Sequence, residues 1–243
     1  MGESRRIAVI IPALNEEASL GHVLDDLPGG LAEVIVADNG SSDGTAGVAR
    51  EGGARVVKAT RLGYGSACLA GIGALSEGID VVVFLDADYS DHPDELSRVV
   101  EPVIDGRADL VIGSRTLGDA QPGSLLPQQR FGNWLATRLI RLLFGHRYSD
   151  LGPFRAVRRS SLQQLAMHDP TYGWTVEMQI RALQEGLVVT EVPVSYRRRI
   201  GRSKIAGTVR GTLGAGFKIL TTVFLLRLRG GAHSVQDPLS DQS

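Results

Sequence analysis

The chain opens with a short apolar run, Ile7–Ile11, that stops at Pro12. Similar β-branched runs follow at Glu33–Asp38, Ala54–Lys58, Asp80–Leu85 and Asp109–Ile112. Runs that are apolar on consecutive positions, rather than on alternate ones, predict strands buried on both faces. Between them lie Glu16–Leu27, Asp43–Gly52, Tyr64–Gly78 and Pro93–Ile104, which carry helical periodicity or helix-boundary residues. Pro93 suits a first helical turn, and Gly52 and Gly78 suit helix ends. This alternation predicts an α/β/α sandwich, Rossmann-like, with a mostly parallel central sheet.

The second half changes character. Arg130–Phe144 reads as an apolar and arginine-rich helix, Phe154–Val157 as a short strand, and Tyr172–Gln184 as a helix leading into a strand over Leu187–Tyr196. Ile205–Leu228 reads as a last helix. The polar tail 230–243 has no periodicity and is expected to be disordered. No internal repeat is visible. The expected layout is a single domain over 1–229, made of a first half (1–126), a second half (127–204) and a C-terminal helix (205–229).

Composition narrows the class. With 43% apolar and 22% charged residues, the chain is an ordinary globular protein and not a multi-span membrane protein. The formal net charge of −1 argues against a general nucleic-acid binder. That sum conceals a split: residues 1–126 carry 9 Lys/Arg and 20 Asp/Glu, and residues 127–243 carry 17 and 7. A cation partner for one half and an anion partner for the other would explain it, as would two halves that attract each other. The single cysteine, Cys68, sits among small apolar neighbours and reads as a buried structural thiol in a reducing compartment. Met1–Arg6 has no leader-like apolar region, so a cytoplasmic location is expected.

In open α/β sheets ligands bind beyond the carboxyl ends of the strands. The strands deliver Pro12 to Glu17, Asp38 to Thr45, Arg61 to Gly65, Asp86 to Pro93 and Gly113 to Arg115 to that edge. Asp86 and Asp88 are the most informative pair. Two carboxylates at the end of a buried strand repel each other, and a hard divalent cation such as Mg²⁺ or Mn²⁺ relieves that. Asp91 reads as the N-cap of the helix that starts at Pro93. His92 next to Pro93 reads as a capping or packing residue rather than a ligand.

The ordered set Ile11-Pro-Ala-Leu-Asn-Glu-Glu17, Val36-Ala-Asp-Asn-Gly-Ser-Ser-Asp-Gly-Thr45, Asp86-Ala-Asp88 and Gly113-Ser-Arg115 resembles glycosyltransferase family 2. Asp150-Leu-Gly-Pro-Phe-Arg155, Glu191-Val-Pro-Val-Ser-Tyr196 and Arg199-Ile-Gly-Arg-Ser-Lys204 bring it nearest to the dolichyl- or polyprenyl-phosphate mannose and glucose synthase branch. The resemblance runs in order over roughly residues 5–210. It implies a GT-A fold and an inverting, metal-dependent transfer of a hexose from a UDP- or GDP-sugar to a polyprenyl phosphate. It also implies roles. Pro12, Asn15, Glu17, Asp38 and Gly63 would line the nucleotide. Asp86 and Asp88 would hold Mg²⁺ or Mn²⁺ and the diphosphate. Arg199, Arg202, Ser203 and Lys204 would close on the donor phosphates. Arg115 and Arg130 would take the acceptor phosphate.

Glu177 is the candidate base, and Asp150 a second. The family usually has Glu-Asp at the first position, whereas this chain has Glu177-Met178, and an i,i+4 pair of Glu177 with Arg181 is an equal reading. A phosphate nucleophile is already anionic and needs no strong base. A further departure is Asp38-Asn39, where many relatives carry two aspartates. Leu213, Phe217, Leu220, Phe224 and Leu228, with Val223 beside them, follow helical spacing, interrupted and flanked by Lys218, Arg227 and Arg229. An interfacial helix at a membrane, and a helix packed on the domain or in an oligomer, both fit. The alternatives to a lipid acceptor are a soluble hydroxyl acceptor, a nucleotidylyltransferase and an inert nucleotide-sugar-binding protein.

Overall fold

In the computed structural model, the described residues are 5–201 and 209–230, with side chains of the last helix described over 218–228. Seven strands form one mixed sheet: β1 (Ile7–Ala13), β2 (Glu33–Asp38), β3 (Arg55–Lys58), β4 (Val81–Phe84), β5 (Leu110–Ser114), β6 (Arg155–Arg158) and β7 (Val189–Pro193). Their order is β3-β2-β1-β4-β6-β5-β7. All neighbours are parallel except β6, which runs antiparallel to both β4 and β5. A strand from residues 127–204 is thus inserted between two strands of residues 1–126, so the two halves share one sheet.

The helices are α1 (Leu20–Asp25), α2 (Thr45–Glu51), α3 (Tyr64–Gly73), α4 (Leu96–Ile104), α5 (Pro127–Phe144), α6 (Arg159–Leu165), α7 (Trp174–Gln184) and α8 (Val209–Gly230). The strand pleat sorts side chains between two cores. Ile10 and Phe84 face one core with Cys68, Ile140, Trp174 and Val223. Val9, Ile11 and Val83 face the other with Leu20, Val23, Val99 and Val103. Both faces of β1 and β4 are covered, which is why their sequences are continuously apolar. Cys68 is fully buried, as its neighbours foretold.

The α/β/α expectation is met, with three local differences. Helix α6, over Arg159-Ser-Ser-Leu-Gln-Gln-Leu165, was not anticipated. The strand expected over Leu187–Tyr196 is confined to Val189–Pro193, because after the Val194 N–H bond to the Ser114 carbonyl the chain turns from β5 to Glu95, Asp119 and Ser90. The apolar stripe of α8 divides. Val223 and Leu226 are buried, whereas Phe224 and Leu228 are exposed. Leu213 and Phe217 lie outside the described side chains, and the tail 231–243 lies outside the described residues.

Candidate active site

The carboxyl ends of β1, β2 and β4 place the nucleotide-side loops together. Asn15 adopts φ 52° and knits the first loop to the second. Its side-chain oxygen accepts from the Ser42 N–H at 2.7 Å, and its own N–H donates to Ser41 Oγ at 2.9 Å. Glu17 accepts from the Gly44 N–H at 2.6 Å. Buried Asp38 accepts from the Ser41 N–H at 2.9 Å. The residue that departs from the family, Asn39, has a local job. Its amide donates to the Arg61 carbonyl at 2.8 Å and accepts from the Gly63 N–H at 2.7 Å. Gly63 has φ 134°, and a Cβ there would collide with the Pro170 carbonyl oxygen, so only glycine fits. Pro12 is buried in β1 beside Ala37.

At the end of β4 three carboxylates crowd together: Asp86, Asp88 and Asp91. Asp88 is 4% exposed and Asp91 1%. Burial pushes the Asp86 carboxyl up to about 7, with the Asp88 charge adding to it and Arg199 opposing it. Burial and the charges of Asp86 and Asp88 likewise raise Asp91 well above the usual carboxylate range. Asp91 is not the helix cap that the sequence suggested. The cap position is His92, and no side-chain cap bond is made. Asp91 instead accepts from the Asp86 N–H at 3.4 Å and stays inside the cluster. His92 points to Asp94, 3.5 Å away, and so plays no part in the cluster.

Tyr89 follows the pair in a left-handed conformation, φ 62°, that is unusual outside glycine. Its ring lies under the Arg197 guanidinium at 3.5 Å, and its hydroxyl donates to Asp26 at 2.6 Å. These contacts hold the turn that presents Asp88. The next residues, 196–200, run along it: Arg197 N–H donates to the Ser90 carbonyl at 2.9 Å and Ile200 N–H to the Asp88 carbonyl at 3.0 Å. Arg199 then forms an ion pair with Asp88. Basic residues of the second half do converge on the acidic pair. Arg202, Ser203 and Lys204 lie outside the described residues.

These carboxylates suit a hard cation. Asp86 Oδ1 and Asp91 Oδ1 are buried without a hydrogen-bond partner among the described residues. No closed cage of three or more ligating side chains is arranged among the described residues. An open set of one or two carboxylates is what Mg²⁺ or Mn²⁺ takes when phosphate oxygens and water complete its shell.

The acceptor-side candidates behave differently. Asp150 is fully buried and accepts from Arg115 Nε and Nη2 at 2.7 Å each, and from the Arg115 and Leu151 N–H groups. Burial works against the Arg115 charge, but Asp150 outweighs it and keeps the guanidinium pKa above its ordinary value. Asp150 therefore has its lone pairs committed, and its geometry is that of an anchor for Arg115. Glu191, which the sequence offered only as part of a motif, fixes that anchor. It accepts from the Ser149 and Asp150 N–H groups and from Ser149 Oγ at 2.8 Å.

Glu177 is 4% exposed and equally committed. It accepts from the His168 N–H at 3.2 Å, the Asp169 N–H at 2.7 Å and Arg181 Nε at 2.9 Å. The pair with Arg181 is present, and the carboxylate also ties down the loop ahead of α7. That loop carries Pro170, whose carbonyl accepts from the Ser66 N–H beside the nucleotide-side glycines.

Arg115 and Arg130 line one cavity of about 450 Å³, with Leu125, Asn133, Trp134 and Asp150. Arg130 has no carboxylate partner among the described residues. The cavity abuts α5, whose exposed positions include Phe131 and Trp134, stacked at 5.9 Å, and Arg138, which lies over Trp134 at 5.6 Å. No helix among the described residues is long and apolar enough to cross a membrane.

Known proteins resemble this chain over most of its length. Residues 8–166 match the model of the family described as glycosyl transferase family 2. An uncharacterized glycosyltransferase of Mycobacterium tuberculosis is 37% identical over 209 residues, covering 85% of this chain and 93% of the relative. An undecaprenyl-phosphate mannosyltransferase of Micrococcus luteus is 32% identical over 222 residues, covering 85% and 90%. Among solved structures, glucosyl-3-phosphoglycerate synthase of Mycobacterium tuberculosis, in complex with Mn²⁺, UDP-glucose and phosphoglyceric acid, superposes with a TM-score of 0.76 at 27% identity, covering 92% of this chain and 80% of that one.

Proposed function

The chain belongs to glycosyltransferase family 2, and on that premise we propose that it transfers a hexose from a UDP- or GDP-sugar to a polyprenyl phosphate with inversion at the anomeric carbon. The observation that carries this reading is the state of the two candidate bases. Glu177 and Asp150 are both buried and fully hydrogen-bonded, so neither is poised to deprotonate a hydroxyl. The acceptor-side cavity offers Arg115 and Arg130 instead. Arginine fixes a phosphate by charge-assisted hydrogen bonds, and an anionic phosphate oxygen attacks without prior proton removal.

On the donor side, Asp38 and the loop at Asn15 would face the nucleoside, and Asp86 and Asp88 would hold Mg²⁺ or Mn²⁺, whose charge suits a diphosphate. When bound, that cation neutralises the charge that builds on the departing nucleoside diphosphate. Arg199 adds a second positive charge from the protein. Phe131, Trp134 and Arg138 give α5 an exposed apolar and cationic face, and neighbouring α8 exposes Phe224 and Leu228. Such a face lets the protein meet a lipid-borne acceptor by peripheral contact. The organisation as one catalytic domain, with nucleotide and acceptor halves sharing a sheet, belongs to the same reading.

A soluble acceptor is the second reading, favoured by the solved relative that holds phosphoglyceric acid. Both acceptors are phosphorylated, so the arginines suit either. The donor assignment is tested by thermal shift with Mn²⁺ and UDP, GDP or CDP, since a ligand of the folded state raises its stability. The melting temperature should rise with one nucleotide only when Mn²⁺ is present, and Asp88→Ala should abolish the rise. A chain that responds to none of them does not have this donor site.

A further inference from the structure

Both oxygens of Asp88 are already occupied. Oδ1 accepts from the Ser90 N–H at 2.9 Å and from Ser90 Oγ. Oδ2 is held by the Arg199 guanidinium. The Ser90 bonds are made within a two-residue turn and fix the carboxylate's orientation. Oδ2 is therefore the Asp88 oxygen left to a cation, and the Arg199 charge stands on it. Asp86 and Asp91 present buried oxygens beside it that have no hydrogen-bond partner among the described residues. We infer that Arg199 is an exchangeable counter-ion: it neutralises Asp88 in the metal-free enzyme and gives up that carboxylate when the divalent cation enters.

Two further observations support exchange over a fixed structural ion pair. The backbone around Arg199 is clamped independently of its side chain, by the Ile200 N–H on the Asp88 carbonyl and the Arg197 N–H on the Ser90 carbonyl. The guanidinium can swing without unfolding the segment. The Arg199 side chain is 29% exposed, against 5% for Asp88, so it has an outward path.

The exchange has an electrostatic logic. Three buried carboxylates without any cation would repel one another. A guanidinium on the rim relieves that repulsion before metal arrives. Once the metal takes over, two cations at one carboxylate repel, and the freed guanidinium has the anionic diphosphate as its next partner. Metal and nucleotide binding are then coupled through one side chain. This inference rests on the donor-site reading above.

The test is Mn²⁺ binding to the full-length, metal-free protein, measured by calorimetry for wild type, Arg199→Gln and Arg199→Lys. Without nucleotide, Arg199→Gln should bind Mn²⁺ at least about fivefold more tightly than wild type, the lower end of typical coupling between two sites. With Mn²⁺ saturating, the same variant should bind the nucleoside diphosphate more weakly. A residue with a merely structural role would weaken both. Equal or weaker Mn²⁺ binding by Arg199→Gln overturns the inference while leaving the donor site standing. No Mn²⁺ binding to any form, with or without UDP or GDP, overturns both. Should Arg199→Gln not fold, the wild type supplies the readout. The Arg199 Nε–H resonance, identified by its loss in Arg199→Lys, should shift when Mg²⁺ is added without nucleotide. An unmoved resonance at saturating Mg²⁺ overturns the exchange.

Discussion

Asp150 grips Arg115 with both carboxylate oxygens, each 2.7 Å from a guanidinium nitrogen, at a point where Asp150 has no exposure. Nη1 of Arg115 makes no hydrogen bond among the described residues and remains for a ligand in the cavity it lines. Removing Asp150 leaves a largely buried guanidinium without its partner. Asp150→Ala should therefore lose about 3–5 kcal/mol of stability in denaturant unfolding. The milder Asp150→Asn should keep the fold and raise the acceptor KM about tenfold or more, the scale of one misdirected charge-assisted bond. Donor binding should not change.

Glu177 yields an opposite expectation to that for a base. Its carboxylate holds the His168 and Asp169 N–H groups and Arg181. Glu177→Gln should cost roughly 1–3 kcal/mol in stability, as a buried network loses a charged acceptor. Its transfer rate, assayed well below the melting temperature, should fall by less than about tenfold. Loss of a general base would cost about 10²- to 10⁴-fold.

Asp86 gives the metal-free protein a distinctive pH response. Its carboxyl is pushed up from 3.8 to about 7 by burial first and by the Asp88 charge second. The folded state therefore holds a proton that the unfolded chain releases above 3.8. That contribution to stability is fully present below 3.8 and is lost as pH rises through 7. In EDTA the melting temperature should fall between about pH 5 and 8. Saturating Mn²⁺, by favouring the ionised carboxylate, should reverse the slope. An identical pH profile with and without Mn²⁺ would count against a metal at Asp86.

The face formed by Phe131, Trp134 and Arg138 should matter for lipid and not for folding. All three are exposed. A Phe131→Ser/Trp134→Ser double variant should melt within a few degrees of wild type. Its co-sedimentation with phosphatidylglycerol vesicles should drop about tenfold, as two aromatic anchors and a cation–π contact go. Undiminished sedimentation would move the lipid contact elsewhere.

Much of this layout is legible in the chain because the dominant signals are local. Ile7–Ile11 and Val81–Leu85 are apolar at every position, and each strand core appears where its run lies. Asp86 and Asp88 are conspicuous because they end such a run. What escapes is long-range. Nothing local to Arg155–Arg158 announces an antiparallel strand wedged between β4 and β5. Asp91 beside His92-Pro93 has the look of a helix cap, and its capture by Asp86 depends on how the turn at Tyr89 folds back. Arg199 stands in a run of three arginines, and no pattern says which of them meets Asp88. Glu191 reads as a strand residue until the loop at Ser149 is laid against it. In each case the deciding partner lies across a turn or a sheet that the sequence does not display.

A hexose that passes from a nucleotide-sugar to a lipid phosphate must carry its label into the lipid. The most direct measurement incubates the purified protein with Mn²⁺, radiolabelled UDP- or GDP-hexose and either detergent-dispersed polyprenyl phosphate or phosphoglyceric acid, and follows label into the organic phase and into soluble product. Label is expected in the lipid fraction with one donor, abolished by EDTA and by Asp88→Asn. Label appearing only in the soluble product, or in neither with any donor, would contradict transfer to a lipid phosphate.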